Sequence, residues 1–229
     1  MNYIEASLLD AVKKGNLKLA DEYIKMGASV DMVDYDYHTL LDIAVLHENV
    51  EMCELLIKNN VNPNKTNCYG DSALHYAAKY NKADICAKKL VELGANVNIL
   101  NRDKQTPLHV AVREQNLKLV EALIHAKARI DALDKDNRSP LYIGVKNNVT
   151  LDIIDILVKN GAEFRFDCKH TFSVYDLVIS PYVISEGDIR KYFDNCIKEE
   201  NNKEQIKVAS KINKSNPNSG SEDVSSPEK

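Results

Sequence analysis

The sequence predicts an all-α solenoid, in which short helix-turn-helix units stack in a row and hairpin-like loops project from one side. Two observations support this fold class. A tetrad of residues recurs at steps of 33 or 34, and a Gly-Ala pair follows it by about 21 residues. Two markers that stay in phase over five units indicate an internal repeat. One helix pair of this size cannot bury its apolar face alone, so neighbouring units have to stack.

The first marker is a tetrad that begins with Ser or Thr and has Leu as its third residue. Ser and Thr are favoured N-caps, and a following Pro suits the first helical turn, so each tetrad predicts the start of a helix. The same phase reaches Ala6-Ser7-Leu8-Leu9 in one direction and Phe172-Ser173-Val174-Tyr175 in the other. The tetrads between them are Thr39-Leu40-Leu41-Asp42, Ser72-Ala73-Leu74-His75, Thr106-Pro107-Leu108-His109 and Ser139-Pro140-Leu141-Tyr142.

The second marker predicts where each second helix ends, because glycine readily adopts the left-handed conformation just past a helix C-terminus. Between the two markers we expect a short helix, a polar turn and a second helix with apolar residues at helical spacing. Units three and five have one extra residue between the markers, which we expect in the turn between the helices. The pair is intact as Gly27-Ala28, Gly94-Ala95 and Gly161-Ala162, and weakened as Asn60-Val61 and Lys127-Ala128.

These residues closely resemble the ankyrin repeat family. The most recognisable pieces are Thr-Pro-Leu-His at 106–109, Gly-Ala-Asn-Val-Asn at 94–98 and Gly-Ala-Ser-Val-Asp at 27–31. The resemblance covers about residues 4–175. It implies an elongated, slightly curved array of antiparallel helix pairs with loops at right angles to them. It also implies that His75 and His109 form hydrogen bonds between neighbouring loops.

The projecting loops depart from the family pattern at one position. The family has a glycine there, which this chain keeps only as Gly70. We therefore expect the other loops to be tighter or less regular, and Asn to tolerate a positive φ best among the replacements. The replacements are Tyr37, Lys104, Asn137 and His170.

We expect one repeat array over residues 1–200 and a disordered tail over 201–229. The tail is rich in Asn, Ser, Lys, Glu and Pro and cannot bury enough apolar surface to offset its ordering entropy. Near the end of the array, Ser185 precedes Asp188 by three residues, and an amphipathic apolar pattern follows from Ile189, which predicts a closing helix. The predicted units are 4–36, 37–69, 70–103, 104–136, 137–170 and a divergent C-terminal cap at 171–200.

Charge and motifs disfavour several classes of function. The net charge of −4 disfavours a nucleic-acid binder, since phosphate backbones select proteins with a basic excess. The chain lacks the glycine-rich nucleotide-binding motifs and the nucleophile elbow. Its histidines and carboxylates do not converge at metal-ligand spacing. We therefore expect no enzyme activity, no cofactor and no metal.

Other features bear on the compartment. No apolar run approaches the roughly 18 residues that cross a bilayer, and the N-terminus does not have the pattern of a signal peptide. The five scattered cysteines are typical of free thiols in a reducing compartment. We expect a monomer in the cytoplasm, without a membrane or nucleic-acid partner.

The resemblance to the family places partner binding on the concave face, at the loop tips and at the exposed ends of the first helices. The loop positions are Tyr35, Asp36, His38, Cys68, Tyr69, Asp71, Arg102, Asp103, Gln105, Lys135, Asp136 and Arg138. The helix-end positions are Lys13, Lys14, Leu46, His47, Lys79, Tyr80, Arg113, Glu114 and Lys146.

Basic residues outnumber acids along these helix ends, although the chain as a whole is acidic. Tyr35, Tyr69, Leu46 and Tyr80 add an aromatic and apolar strip towards the N-terminal half, and Tyr and Arg are enriched at interface hot spots. We hypothesise that this face binds a protein segment with acidic character and at least one apolar anchor. The alternative is that these Lys and Arg residues only keep the helix ends soluble.

The favoured function is a non-catalytic protein–protein interaction module, acting as a scaffold, adaptor or inhibitor. One version recruits a partner to a larger machine such as a ubiquitin ligase or proteasome. The richness in Asn, Lys and Ile is typical of AT-rich genomes, so a second version is a secreted effector of an intracellular pathogen or virus that acts on host proteins in the host cytoplasm. A nucleic-acid binder is less favoured, and steep salt dependence of binding would distinguish it.

Overall fold

The computed structural model describes residues 2–80, 84–164, 188–199 and 202. The chain divides into two compact parts, Met1–Ser185 and Glu186–Lys229, and each is described by itself. The described residues of the first part form five consecutive pairs of helices. They are α1 (Tyr3–Lys13) with α2 (Leu17–Lys25), α3 (Leu40–Leu46) with α4 (Val50–Lys58), α5 (Ala73–Tyr80) with α6 (Asp84–Glu92), α7 (Pro107–Arg113) with α8 (Leu117–His125), and α9 (Pro140–Lys146) with α10 (Leu151–Lys159).

The helices stack in two layers, as the repeat predicts. The first helices pack in the order α1, α3, α5, α7 and α9, and the second helices in the order α2, α4, α6, α8 and α10. The third residue of each tetrad lies at the centre of the first layer, and its side chain is at most 2% exposed. These residues are Leu8, Leu41, Leu74, Leu108 and Leu141. The all-α repeat solenoid predicted from the sequence is thus confirmed.

The tetrads start the first helices in four of the five pairs. The side chains of Thr39, Thr106 and Ser139 accept hydrogen bonds from the backbone N–H three residues later, as N-caps do. Ser72 lies directly before α5 in the same way. The first pair differs, because Ala6, the first residue of its tetrad, lies inside α1. That helix begins one turn earlier, at a capping box that Asn2 forms with Glu5.

Two buried histidines connect neighbouring repeats. His75 Nδ1 accepts a hydrogen bond from the Ser72 N–H at 3.1 Å, and His75 Nε2 donates to the Gln105 carbonyl oxygen at 3.0 Å. His109 repeats this arrangement, and its Nε2 donates to the Arg138 carbonyl oxygen at 3.0 Å. Burial lowers the pKa of both imidazoles, so they are neutral with the proton on Nε2. The inter-loop hydrogen bonds implied by the family resemblance are therefore present.

The turn between the two helices of a unit takes up the extra residue in unit five. In unit four, Asn116 caps α8, and its side chain accepts from the Leu119 N–H. In unit five, Val149 is inserted before the cap position, which Thr150 occupies without a side-chain hydrogen bond to the helix. The prediction for unit five is confirmed. The corresponding turn of unit three includes 81–83, which lie outside the described residues.

Four finger loops project between the helix pairs, and they share one backbone geometry. We name them finger loop 2 (34–38), finger loop 3 (67–71), finger loop 4 (101–105) and finger loop 5 (134–138). In each loop, the backbone N–H of the first residue donates to the carbonyl oxygen of the fifth, at 2.9 to 3.1 Å. The side-chain Oδ1 of the first residue accepts from the N–H groups of the third and fifth residues. The first residues are Asp34, Asn67, Asn101 and Asp134.

The expected irregularity of these loops is not found. Tyr37, Lys104 and Asn137 adopt φ values of 64°, 55° and 57°, in the same left-handed region as Gly70 at 77°. The Asx hydrogen bonds hold the backbone in this region despite the conformational cost of a side chain there. The fourth replacement, His170, lies outside the described residues.

The second part of the chain is described through a helical segment at 188–199. Ile189 and Phe193 are 3% and 0% exposed, in agreement with the predicted amphipathic pattern. The rings of Tyr192 and Phe193 are 5.6 Å apart in an edge-to-face arrangement. The predicted cap residue Ser185 and most of the predicted tail lie outside the described residues. In the described part of the chain, no helix combines the length and apolar content that a membrane span requires.

A substitution past the end of α8 tests how much the left-handed conformation costs. Lys127 has a φ of 64°, where units one, three and five have glycine. Lys127→Gly should raise the free energy of unfolding by about 0.5 to 1 kcal/mol, because glycine adopts this conformation without strain. Urea denaturation measures the change. Lys127→Ala is the control, since alanine keeps the strain. An equal gain in the alanine variant would contradict the explanation.

Candidate functional site

A cavity of about 810 Å³ opens on the concave face of units two to four. Finger loops 2, 3 and 4 form one side, and α5 and α7 form the other. Five tyrosines line it, so we name it the tyrosine cavity. They are Tyr35, Tyr37, Tyr69, Tyr76 and Tyr80.

Many of the residues predicted from the sequence come together in this cavity. Those that line it are Tyr35, Asp36, His38, Tyr69, Asp71, Lys79, Tyr80, Arg102, Asp103, Gln105 and Arg113. The other predicted residues do not line it, and they are Lys13, Lys14, Leu46, His47, Cys68, Glu114, Lys135, Asp136, Arg138 and Lys146.

The sequence reasoning missed four residues that line the cavity. Tyr37 occupies the glycine position of finger loop 2, where the repeat pattern indicates only a turn residue. Tyr76 lies one helical turn before Tyr80, so the spacing of four residues could have placed both on one face of α5. Asn101 and Val110 complete the lining. Asn101 carried a detectable signal, because Asn or Asp recurs in phase at the start of every described finger loop.

Three tyrosines of the cavity are largely exposed to solvent. Tyr35, Tyr69 and Tyr37 are 86%, 64% and 59% exposed. Behind them, the buried ring of Tyr76 lies 5.5 Å from the ring of Tyr80 and meets His38 edge-on at 5.4 Å. Burial raises the pKa of Tyr76, so its hydroxyl stays protonated. Clustered exposed apolar surface of this kind marks interaction sites on many proteins.

The charged residues of the cavity differ in how far they are already paired. Asp103 pairs with Lys135 at 2.6 Å, and the Arg113 guanidinium contacts the Glu114 carboxylate at 2.9 Å. The Lys79 ammonium lies 5.5 Å from the centre of the Tyr80 ring, a cation–π distance. Arg102 forms no ion pair with any described residue. Positive charge is therefore left over on the α5 and finger-loop-4 sides of the cavity.

Outside the cavity, ion pairs reduce the basic character of the predicted ridge. Lys13 pairs with the buried carboxylate of Asp34 at 3.3 Å, and Lys14 pairs with Asp10 at 2.8 Å. Arg138 pairs with two aspartates of its own loop. Lys146 has no ion pair within the described ranges. The ridge is thus positive in composition, but only part of that charge is available to a partner.

One group of three potential metal ligands occurs among the described residues, in finger loop 2. Oxygen or nitrogen atoms of Asp34, Asp36 and His38 lie within 4.8 Å of one another. Burial would raise the pKa of Asp34, but the His38 N–H and the Lys13 ammonium bind its carboxylate and lower the pKa overall. This carboxylate is therefore already occupied in holding the loop and in pairing with Lys13, which accounts for the cluster without a metal.

Between their finger loops, the described residues of units two and three lack a hydrogen bond that the next two seams have. Elsewhere in the same seam, Asn64 Oδ1 accepts from the Asn96 N–H at 2.6 Å, and Lys89 pairs with Glu54 at 2.6 Å. Asp42 stands in the tetrad position that His75 and His109 occupy. Its Oδ2 accepts from the Thr39 N–H at 2.9 Å, while its buried Oδ1 has no hydrogen-bond partner. Finger loops 3 and 4 are also joined by the Arg102 N–H and the Tyr69 carbonyl oxygen at 3.3 Å. No such backbone bond joins finger loops 2 and 3 among the described residues.

Comparisons with known proteins identify the repeat. The chain matches the family described as Ankyrin repeats (3 copies) over residues 8–99 and 81–167. It is 32% identical over 119 residues to tyrosine-protein kinase Shark of Drosophila melanogaster, and 35% identical over 119 residues to ankyrin repeat protein FPV222 of fowlpox virus. It is 30% identical over 107 residues to human Ankyrin repeat and SOCS box protein 6.

These similarities are confined to parts of the relatives. The matched segments cover 51%, 51% and 46% of this chain, but only 13%, 16% and 25% of the three relatives in the same order. They therefore concern the repeats, and the remaining regions of those proteins have no counterpart in the matched segments.

The buried carboxylate of Asp42 predicts a pH-dependent stability. Burial raises its pKa from 3.8 to about 6, although the hydrogen bonds from Thr39 act in the opposite direction. Because the folded state favours the protonated form, the stabilisation is present below about pH 4 and is lost as the pH rises through 6. The free energy of unfolding of Asp42→Asn minus that of wild type should therefore increase by about 3 kcal/mol between about pH 4 and 7.

Urea denaturation at both pH values measures this difference. Asp152 is exposed, so Asp152→Asn serves as the control, and its difference from wild type should change little over the same range. A flat difference for Asp42→Asn as well would show that the Asp42 carboxyl is not the titrating group.

Proposed function

This chain belongs to the ankyrin repeat family, and we propose that it binds a partner protein in the tyrosine cavity and along the adjoining concave face. Ankyrin repeats are protein–protein interaction modules, and the proposed role is a non-catalytic scaffold, adaptor or inhibitor. The observation that carries the proposal is the cluster of exposed tyrosines between finger loops 2 and 3, because such rings have large contact area and few rotatable bonds to order on binding.

The proposed partner segment is acidic and has at least one apolar anchor. Lys79, Arg102 and Lys146 support the acidic character, since they have no ion pairs with described residues. Unpaired positive charge on this face would speed the encounter with an acidic segment more than it would deepen the affinity. Lys13 is not part of this group, because it already neutralises the buried Asp34.

A role as an effector inside a host cell is the alternative version of this function. The similarity to fowlpox ankyrin proteins at 35% and 29% identity supports it. Similar identities to fly and human proteins, 32% and 30%, do not favour a viral over a cellular origin. The surface that would contact the partner is the same in both versions.

Capture of partners from a eukaryotic cell lysate tests the proposed face. The immobilised chain is compared with the triple variant Lys79→Glu, Arg102→Glu and Lys146→Glu by quantitative mass spectrometry. Proteins bound through this face should decrease about tenfold or more, since each reversal turns an attraction into a repulsion. The matched control is Lys18→Glu, Lys58→Glu and Arg129→Glu, which are exposed residues away from the cavity.

The control variant should retain the same proteins as wild type, and circular dichroism should show all three proteins folded. Equal recovery of every protein by the wild type and by both triple variants would rule out the concave face as the binding surface.

A further inference from the structure

We propose that the tyrosine cavity holds an aromatic side chain of an extended partner segment, and that a carboxylate a few residues away in that segment pairs with Arg102. This inference rests on the proposed function and defines the partner more closely. The occupant is an acidic peptide segment with one aromatic anchor, in a fixed orientation relative to the repeats.

The size of the cavity fits such an occupant. Its volume of about 810 Å³ lies within the range of roughly 300 to 1,000 Å³ that is common for well-formed binding pockets. This space is several times larger than one aromatic side chain, so it also has room for the neighbouring residues of the segment. The opening lies between loops and helix ends, which suits a segment that runs along the groove.

The arrangement of rings favours an aromatic anchor over an aliphatic one. His38, Tyr76 and Tyr80 already form a series, with ring centres 5.4 Å and then 5.5 Å apart. Tyr80 is the outer member of this series and is 39% exposed. A further ring against Tyr80 and the exposed face of Tyr69 would continue the edge-to-face and tilted contacts, which add to the gain from burial alone.

The charges favour a carboxylate on the finger-loop-4 side. Arg102 and Lys79 have no ionic partner among the described residues. Of the acids in the lining, Asp103 pairs with Lys135, whereas Asp71 accepts from the neutral Asn101 amide at 2.9 Å and keeps its charge. Asp36 lies two loops away from Arg102, in finger loop 2. On the side of finger loops 3 and 4, two unpaired cations thus stand against one unpaired acid, and a carboxylate beside Arg102 orients the segment.

The missing hydrogen bond between finger loops 2 and 3 supports entry of the ring. Tyr35 and Tyr37 stand on finger loop 2, and Tyr69 stands on finger loop 3. Among the described residues, neither a backbone hydrogen bond nor a histidine bridge joins these two loops. Finger loops 2 and 3 can therefore separate without breaking a hydrogen bond between them, while finger loops 3 and 4 stay connected.

Selection from a library of random 12-residue peptides displayed on phage tests this inference. Peptides enriched on the wild-type chain should contain Phe, Tyr or Trp within about four positions of Asp or Glu. The most enriched peptide is then synthesised with a fluorescent label, and its dissociation constant is measured by anisotropy. Tyr80→Ala and Arg102→Glu should each weaken binding about tenfold, as expected for an anchor and its ionic partner.

Matched controls are available for both changes. Tyr3 is 82% exposed and lies outside the cavity, so Tyr3→Ala should change the dissociation constant less than about twofold. Arg129→Glu reverses the same charge on an exposed residue away from the cavity and should have an equally small effect.

Three outcomes would overturn the inference. These are enrichment of peptides that lack an aromatic or an acidic residue, equal loss of binding in the cavity and control variants, and no enrichment at all. If lysate capture still depends on the concave face in any of these cases, the proposed function stands and only the identity of the occupant is wrong. If capture does not depend on that face, the proposed function itself fails.

Discussion

The hydrogen bond between a buried helix residue of one repeat and the finger loop of the next determines how this chain is organised. His75 and His109 donate from Nε2 to the carbonyl oxygens of Gln105 and Arg138, and both imidazoles are inside the stack. A buried carbonyl oxygen without a partner would cost about 1 to 3 kcal/mol. Each bond therefore fixes the position of the next finger loop relative to the helix that carries the histidine. The concave face is the surface that these bonds hold in place.

The same bond is missing between units two and three, and the tyrosine cavity lies beside that seam. Asp42 cannot donate a proton when it is ionised, and its Oδ1 is left without a partner. The loops on either side carry Tyr35, Tyr37 and Tyr69. In a linear array, a weak interface affects mainly its two neighbours. The chain can thus give up some stability between units two and three while the rest of the scaffold stays firm, and the aromatic rings there are free to adjust to a partner.

The sequence alone was sufficient for the fold and for part of the site. The repeat phase places every described helix pair, and residues such as Tyr69 and Arg102 follow from the loop positions of the family. Ion pairs between units were not predictable in this way, because Lys13 and Asp34 are neighbours only after the helix pairs stack. The regular loops at Tyr37 and Lys104 were also missed. Their conformation depends on hydrogen bonds to the side chains of Asp34 and Asn101. The expectation of irregular loops took account only of the missing glycine.

The most direct test of this account is hydrogen exchange of the loop amides in the free chain, measured by NMR. In each of finger loops 3, 4 and 5, the backbone N–H groups at the third and fifth positions donate to the Oδ1 atom of the Asn or Asp at the first position. The missing bridge at Asp42 predicts that the amides of Tyr69 and Asp71 exchange markedly faster than those of Asp103, Gln105, Asp136 and Arg138. Equal exchange in the three loops would show that the histidine bridges do not hold the concave face, and would contradict the account.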